Sequence, residues 1–277
     1  MKKNAFQSFA AVPHSVWVVM FIVAPLLFVL AFAFRGADGG FSFANIRELS
    51  QYGNVFVLSI AFALIATVIC LLIGYPLAYF MSRQSPRAQR ILMVLVMLPM
   101  WCNLLIRTYA LMALLDNGGL LNSLLESIGL PKIPIVGTNF GVILGMVYDF
   151  LPYMVLPIFT AMTKLDQRYI EASHDLGCNG WQTMTRVVLP LTMSGVISGV
   201  TMVFVPSIST FYISQKLGAG KIDLVGDTIE RLFQNTATYG VGAAISLVMM
   251  ILILISVGVM NRFSGDDEDK RKGGTLK

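Results

Sequence analysis

The sequence predicts an all-α membrane protein with six spanning helices. Three observations carry this. Of 277 residues, 56% are apolar and 13% charged, whereas a water-soluble domain carries about a quarter charged residues. Mean hydropathy is +0.73. The charged residues also leave six long apolar stretches between them, each close to the roughly 20 residues a helix needs to cross a bilayer. The three cysteines, Cys70, Cys102 and Cys178, make no even framework for a disulfide scaffold. His14 and His174 stand at no zinc-ligand spacing. The net charge of +5 does not point to nucleic acid, because the basic residues sit scattered at the ends of apolar segments and form no stripe interleaved with aromatics.

The first predicted span covers 16–34. Met1, Lys2 and Lys3 ahead of it resemble the start of a signal peptide, but the apolar stretch is long and lacks a convincing small-residue cleavage site before Arg35, so it is read as an uncleaved span. No charge occurs between Glu48 and Arg83, which allows a second span over 54–82. The third, 91–115, continues past Arg107, and the fourth, 140–163, contains Asp149. The fifth and sixth cover 187–213 and 241–261. With six spans both termini share one side, and thirteen of the twenty Lys and Arg fall there, which makes that side cytoplasmic. The expected organisation is a cytoplasmic segment 1–15, a transmembrane domain 16–263 and a charged, glycine-containing tail 264–277 read as disordered. The sixteen methionines are dispersed through the spans, where packing explains them.

The loop 164–190 carries most of the functional information. Leu165, Tyr169, Ala172 and Leu176 recur at helical spacing and form one narrow stripe. The opposite face shows Asp166, Arg168, Glu171, His174 and Asp175, and Gly177 stands where a left-handed cap would end the helix. Asn179 with Gln182 three residues on has the pattern of a capping box and would start a second helix through Trp181 and Arg186 into Pro190. A helix lying on lipid headgroups is normally rich in Lys and Arg, whereas this face is of mixed sign, which suits a protein partner better.

Glu171, Ala172 and Ser173, then Gly177 after three residues, then Val187 to Pro190 after nine more, resemble the EAA loop of the permease subunits of ATP-binding cassette importers. Serine replaces the second alanine and valine the usual isoleucine. Gly74 to Pro76, Pro99 to Trp101, Arg107 to Tyr109, Pro152 to Pro157, Phe204 to Pro206, Phe211 and Leu217 to Gly218 extend the likeness over most of the chain, toward the spermidine and putrescine branch of that family. The resemblance implies a MetI-like permease fold with a cytoplasmic coupling helix between spans four and five. It implies that Glu171, Ala172, Ser173 and Gly177 form the coupling element, with Ile170 and Trp181 as ATPase contacts. It further implies a second homologous permease, two copies of a cytoplasmic ATPase that hold ATP and magnesium, and an extracytoplasmic polyamine-binding protein. This chain has no Gly-rich phosphate loop of its own, and no cofactor or metal is expected on it.

Ionisable groups inside a span cost at least a few kcal/mol and normally face a cavity or each other. Arg107 and Asp149 share a depth of roughly 12 to 14 Å below the outer surface at about 1.5 Å rise per residue. Two readings stay open. They form an ion pair tying span three to span four, or Asp149, with Tyr148 and Tyr153, offers a carboxylate and aromatic faces to a passing ammonium. Pro76, Pro99, Pro152, Pro157 and Pro206 interrupt the ladders of four spans, which suggests a water-accessible interior. Trp101 joins this tentative path, and Phe211 with Tyr212 is a candidate outer gate or part of an interfacial aromatic belt. The alternatives are an importer permease for another small organic solute and a self-sufficient secondary transporter, which lacks a proton-relay series. An intramembrane enzyme lacks a nucleophile and base within the spans.

Overall fold

A computed structural model describes residues 5–36 and 40–273, with side chains over 12–36, 40–260 and 262. The described residues are helices and connecting turns, with one isolated β-bridge between Arg35 and Phe41. The chain forms two compact units, one of residues up to Asn54 with Thr228–Leu252, the other of Val55–Asp227 with residues from Ile253.

In the first unit, α1 (Ala5–Val18) continues through a π-helical turn, Val19–Val23, into α2 (Ala24–Ala33). The wide turn precedes Pro25, which has no N–H to give to the preceding ladder. A short α3 (Ala44–Glu48) follows, with a 3-10 turn at Leu49–Tyr52. Asn45 Nδ2 donates to the carbonyls of Ala33 at 3.2 Å and Arg35 at 2.9 Å, and so satisfies groups that the end of α2 leaves open. Ala33, Ala243 and Ala244 are the centre of a small core with Val29, Phe34 and Leu247.

The long helix α4 (Gly53–Ser82) leads to α5 (Pro86–Trp101), α6 (Leu104–Leu115), α7 (Leu120–Ser127) and α8 (Asn139–Thr163). The loop helices α9 (Gln167–Asp175) and α10 (Gly180–Thr183) follow, then a π-helical turn Met184–Val188, α11 (Leu189–Leu191) and α12 (Met193–Ser209). The order ends with α13 (Tyr212–Leu217), α14 (Val225–Phe233), a 3-10 turn Thr236–Thr238 and α15 (Tyr239–Gly273). Among the described residues, five stretches are long and apolar enough to cross a membrane: Val12–Ala33, Ala44–Ser82, Leu104–Ser127, Asn139–Thr163 and Thr236–Met260. The pair Gly180–Leu191 and Met193–Ser209, bent by 71°, makes a sixth if counted as one span.

Spans two and four fall where the apolar runs place them. Span three does not. The predicted helix 91–115 is broken after Trp101, where Cys102 and Asn103 are extended and the Asn103 side chain accepts from Leu105 N–H at 2.8 Å to start α6. Pro99 ends the preceding ladder with a tight turn, Cys102 N–H donating to its carbonyl at 3.2 Å. Predicted span five is likewise shorter, because the bend at Thr192 cuts off 187–191 and the helix stops at Ser209, leaving Phe211 outside it. The tail expected to be disordered from 264 continues α15 to Gly273; its sequence sets acids four residues ahead of bases, an order that favours helix. Residues 274–277, also expected to be disordered, and 1–4 of the expected N-terminal segment lie outside the described residues.

The core of the second unit is built on α8. Val142, Met146, Met154, Val155 and Ile158 are fully buried there, joined by Met81 and Ala78 of α4 and Val203 of α12. The most extensive helix packing among the described residues is α12 on α8, and two glycines one turn apart permit it. A Cβ at Gly199 would lie 3.1 Å from the Met154 carbonyl oxygen, and one at Gly195 would lie 2.8 Å from that of Pro157. Small residues four apart let membrane helices pack backbone to backbone.

Candidate functional site

Inside the bundle, Arg107 of α6 and Asp149 of α8 form an ion pair through Nε and Oδ1. Asp149 is 0% exposed, and its other oxygen accepts from the Thr108 hydroxyl at 3.2 Å. The guanidinium also donates through Nη1 to the Pro99 carbonyl at 3.0 Å, so one side chain closes the open end of α5 and neutralises the acid on α8. Its Cζ lies 5.9 Å from the centre of the Tyr148 ring. The two charges expected at one depth are paired within the chain. Of the other tentative path residues, Tyr153 packs near Phe150 with ring centres 6.3 Å apart. Trp101 and Phe211 stand exposed at the ends of α5 and α12.

The loop between α8 and α12 is a second, very different construction. Asp166 caps α9 by accepting from Arg168 N–H at 3.0 Å. Gly177, at φ +82°, ends it with a Schellman pair: Cys178 N–H donates to Ser173 O at 3.0 Å and Gly177 N–H to His174 O at 2.9 Å. The predicted capping box starts α10, with Gln182 N–H to Asn179 Oδ1 at 2.8 Å and Asn179 N–H to Gln182 Oε1 at 3.0 Å. Between the two short helices lies a buried hydroxyl bridge. Ser173 Oγ donates to the Ile170 carbonyl at 2.7 Å, so its 2.9 Å contact with Thr183 is a bond donated by the threonine. Arg83 at the end of α4 reaches Gln167 Oε1 at 3.1 Å and holds the start of α9.

This folding sorts the predicted coupling residues into two sets. Ile170 and Ser173 are buried inside the chain, Ile170 within the core around α8, and so present no surface to a partner. Glu171, Ala172, Gly177 and Trp181 are exposed. Of the stripe found by periodicity, Leu165 packs partly against the core, whereas Tyr169 at 57% and Leu176 at 85% exposure face outward with Ala172, joined by Trp181 of α10 at 76%. A face this apolar and this open, held on one helix capped at both ends and a second started by a capping box, has the character of a docking surface. The loop is also joined to α12, since the Thr192 hydroxyl donates to Val188 O at 2.8 Å and shares a 3.1 Å hydrogen bond with Tyr75 of α4.

Sequence reasoning missed Thr108, the Pro99 carbonyl, Thr183, and the glycines 195 and 199. The glycine spacing is a legible signal for close helix packing. Thr183, ten residues from its partner and in a different helix, carries none.

Residues 74–265 match the family described as "Binding-protein-dependent transport system inner membrane component". The spermidine/putrescine transport system permease protein PotB of Haemophilus influenzae is 39% identical over 269 residues, covering 94% of each chain. PotB of Escherichia coli is 36% identical over 247 residues, 86% of this chain and 90% of the relative. Among solved structures, a chain of a bacterial alginate ABC transporter in complex with its pentasaccharide-bound periplasmic protein superposes with a TM-score of 0.74 at 18% identity, covering 94% of this chain and 93% of that one. At that identity the likeness speaks for the fold.

Proposed function

The chain belongs to the family of binding-protein-dependent inner-membrane transport components and is a non-catalytic permease subunit of an ATP-binding cassette importer; from that premise we propose that it passes spermidine or putrescine across the bacterial cytoplasmic membrane. The observation that carries the cargo assignment is the extent of its similarity to PotB, nearly end to end at 39% identity. We propose further that its partners are a PotC-like second permease, two copies of a PotA-like cytoplasmic ATPase that bind ATP and magnesium, and a PotD-like extracytoplasmic binding protein. Both termini and the loop carrying α9 and α10 then face the cytoplasm.

The loop supports this reading by its build. Glu171, Tyr169, Leu176 and Trp181 are exposed on a platform of α9, capped at both ends, and α10, started by a capping box, ready to seat in a groove of the ATPase. Closure of the two ATPases on ATP draws the platform with them, and the bend at Thr192 carries the displacement into α12, which lies against α8. Binding-protein release of cargo at the outer face and reset after hydrolysis complete the cycle.

Uptake in cells co-expressing the four components tests this directly. Glu171→Arg should reduce ATP-dependent spermidine uptake to background while the complex still assembles in the membrane; normal uptake would remove Glu171 from coupling. A panel of polyamines, amino acids and anions, read by stimulation of ATPase activity, should single out polyamines. Stimulation by another solute alone would sink the cargo assignment.

A further inference from the structure

The short helix α13 leaves the end of α12 and packs back against α8 and α6. Ile213 and Leu217 are fully buried and fill the space that Gly145 leaves on α8, where a Cβ would lie 2.9 Å from Ile213 Cγ2. With that face fixed inward, Tyr212 and Lys216, four residues apart, share another face of the helix and meet Tyr109 of α6. The two rings lie 5.9 Å apart between centres at an angle of 76°. The Lys216 ammonium sits 5.0 Å from the centre of the Tyr109 ring and 5.6 Å from that of Tyr212. Lys216 also hydrogen-bonds the Tyr109 hydroxyl; aromatic rings around one ammonium are a general means of recognising alkylammonium ions, and here the chain's own lysine fills the place.

We propose that Tyr109 and Tyr212 form an ammonium slot on the cargo route, and that Lys216 occupies it between transport events as a tethered competitor of the cargo. The inference rests on the polyamine reading. A polyamine ends in a primary ammonium on a methylene chain, the same chemical group that ends a lysine side chain, so rings that hold one will hold the other. While Lys216 is in the slot its charge also repels an incoming polycation. Cargo therefore gains the rings by displacing the lysine, and because Lys216 is on α13, which is wedged against α8 at Gly145, exchange links slot occupancy to the position of that helix.

Radiolabelled spermidine uptake by the assembled transporter tests the slot. Lys216→Met keeps an unbranched side chain one atom shorter and removes the competitor, so the apparent KM for spermidine should fall by about two- to thirty-fold, the range set by one cation and ring contact. Tyr109→Leu introduced into the Lys216→Met background should cancel that gain. An unchanged KM in Lys216→Met overturns the proposal, and so does a gain that survives Tyr109→Leu, which would reduce the role of Lys216 to bulk repulsion. Should Lys216→Met fail to assemble, Lys216→Gln serves the same comparison. A readout independent of cargo is thermal unfolding of the purified complex with tetramethylammonium, which binds aromatic faces without hydrogen bonds. It should raise the midpoint of Lys216→Met more than that of the unaltered complex, and equal shifts contradict the slot. If the unaltered transporter takes up no spermidine, the polyamine reading fails, and the tetramethylammonium comparison still decides whether the slot exists.

Discussion

The interior around Asp149 hides charge, whereas the loop between α8 and α12 displays apolar surface. Each inverts what its surroundings favour. In the bundle, the carboxylate of Asp149 is enclosed and is matched by Arg107 and the Thr108 hydroxyl. On the loop, Tyr169, Leu176 and Trp181 stand open, while the hydroxyls of Ser173 and Thr183 are the groups buried. The two regions find their completion in different places. The charges are satisfied within the chain, so they hold it together; Tyr169, Leu176 and Trp181 are not covered by the chain, so they are suited to a partner.

Breaking the inner half of this comparison should have the largest effect. Asp149→Asn leaves Arg107 buried opposite a neutral amide, and removal of one partner from a buried pair costs about 3 to 5 kcal/mol. Membrane levels of the protein and its thermal unfolding in detergent should both drop. Replacing the pair together, Arg107→Met with Asp149→Leu, should recover most of the loss. A stable, assembled Asp149→Asn complex that takes up no polyamine would instead move Asp149 from the frame to the cargo route.

The outer half is tested by Trp181→Ala. Truncation of an exposed side chain away from the core should leave stability within about 0.5 kcal/mol, while loss of a central aromatic anchor should weaken ATPase association by about 2 kcal/mol, some thirty-fold. Pull-down of the ATPase against a thermal melt of the permease separates the two. Equal losses in both would mean that Trp181 belongs to the core after all.

Two smaller effects sharpen the boundary between the halves. Gly199→Ala places a methyl against the Met154 carbonyl and should cost about 1 to 3 kcal/mol by overpacking α12 on α8, read as a lower unfolding midpoint. Ser173→Ala removes the acceptor of the Thr183 hydroxyl and should cost about 1 kcal/mol. Its signature is a several-fold drop in uptake per ATP hydrolysed with assembly intact, because α9 and α10 then no longer move as one piece; Thr183→Ser, which keeps a hydroxyl there, should retain normal coupling.

How much of this was legible in the sequence follows from what hydropathy and periodicity can see. The charge-free run 54–82 and the apolar run 140–163, with its single acid Asp149, locate α4 and α8 to within a residue or two, since helix and run coincide. They overlook the break at Cys102 and Asn103, because both residues are acceptable in a span by composition and the interruption comes from Pro99 and the Asn103 cap. The shared depth of Arg107 and Asp149 followed from helical rise alone. Periodicity also found the stripe of Tyr169, Ala172 and Leu176, yet it fixes only that one face of α9 is apolar. Which face the rest of the chain covers depends on Ile170 meeting the core and Ser173 meeting Thr183, contacts that no local pattern encodes. The likeness to the EAA loop marks Ser173 as a departure, and only the fold explains the hydroxyl.

The docking of the loop on a cytoplasmic ATPase is tested most directly by Leu176→Cys with Cys102→Ser and Cys178→Ser, cross-linked in inside-out membrane vesicles from cells expressing the whole transporter. A covalent adduct between position 176 and the ATPase, strengthened by ATP, is the predicted result. Labelling of the same cysteine by a membrane-impermeant maleimide applied to intact spheroplasts, with no ATPase adduct, would contradict it.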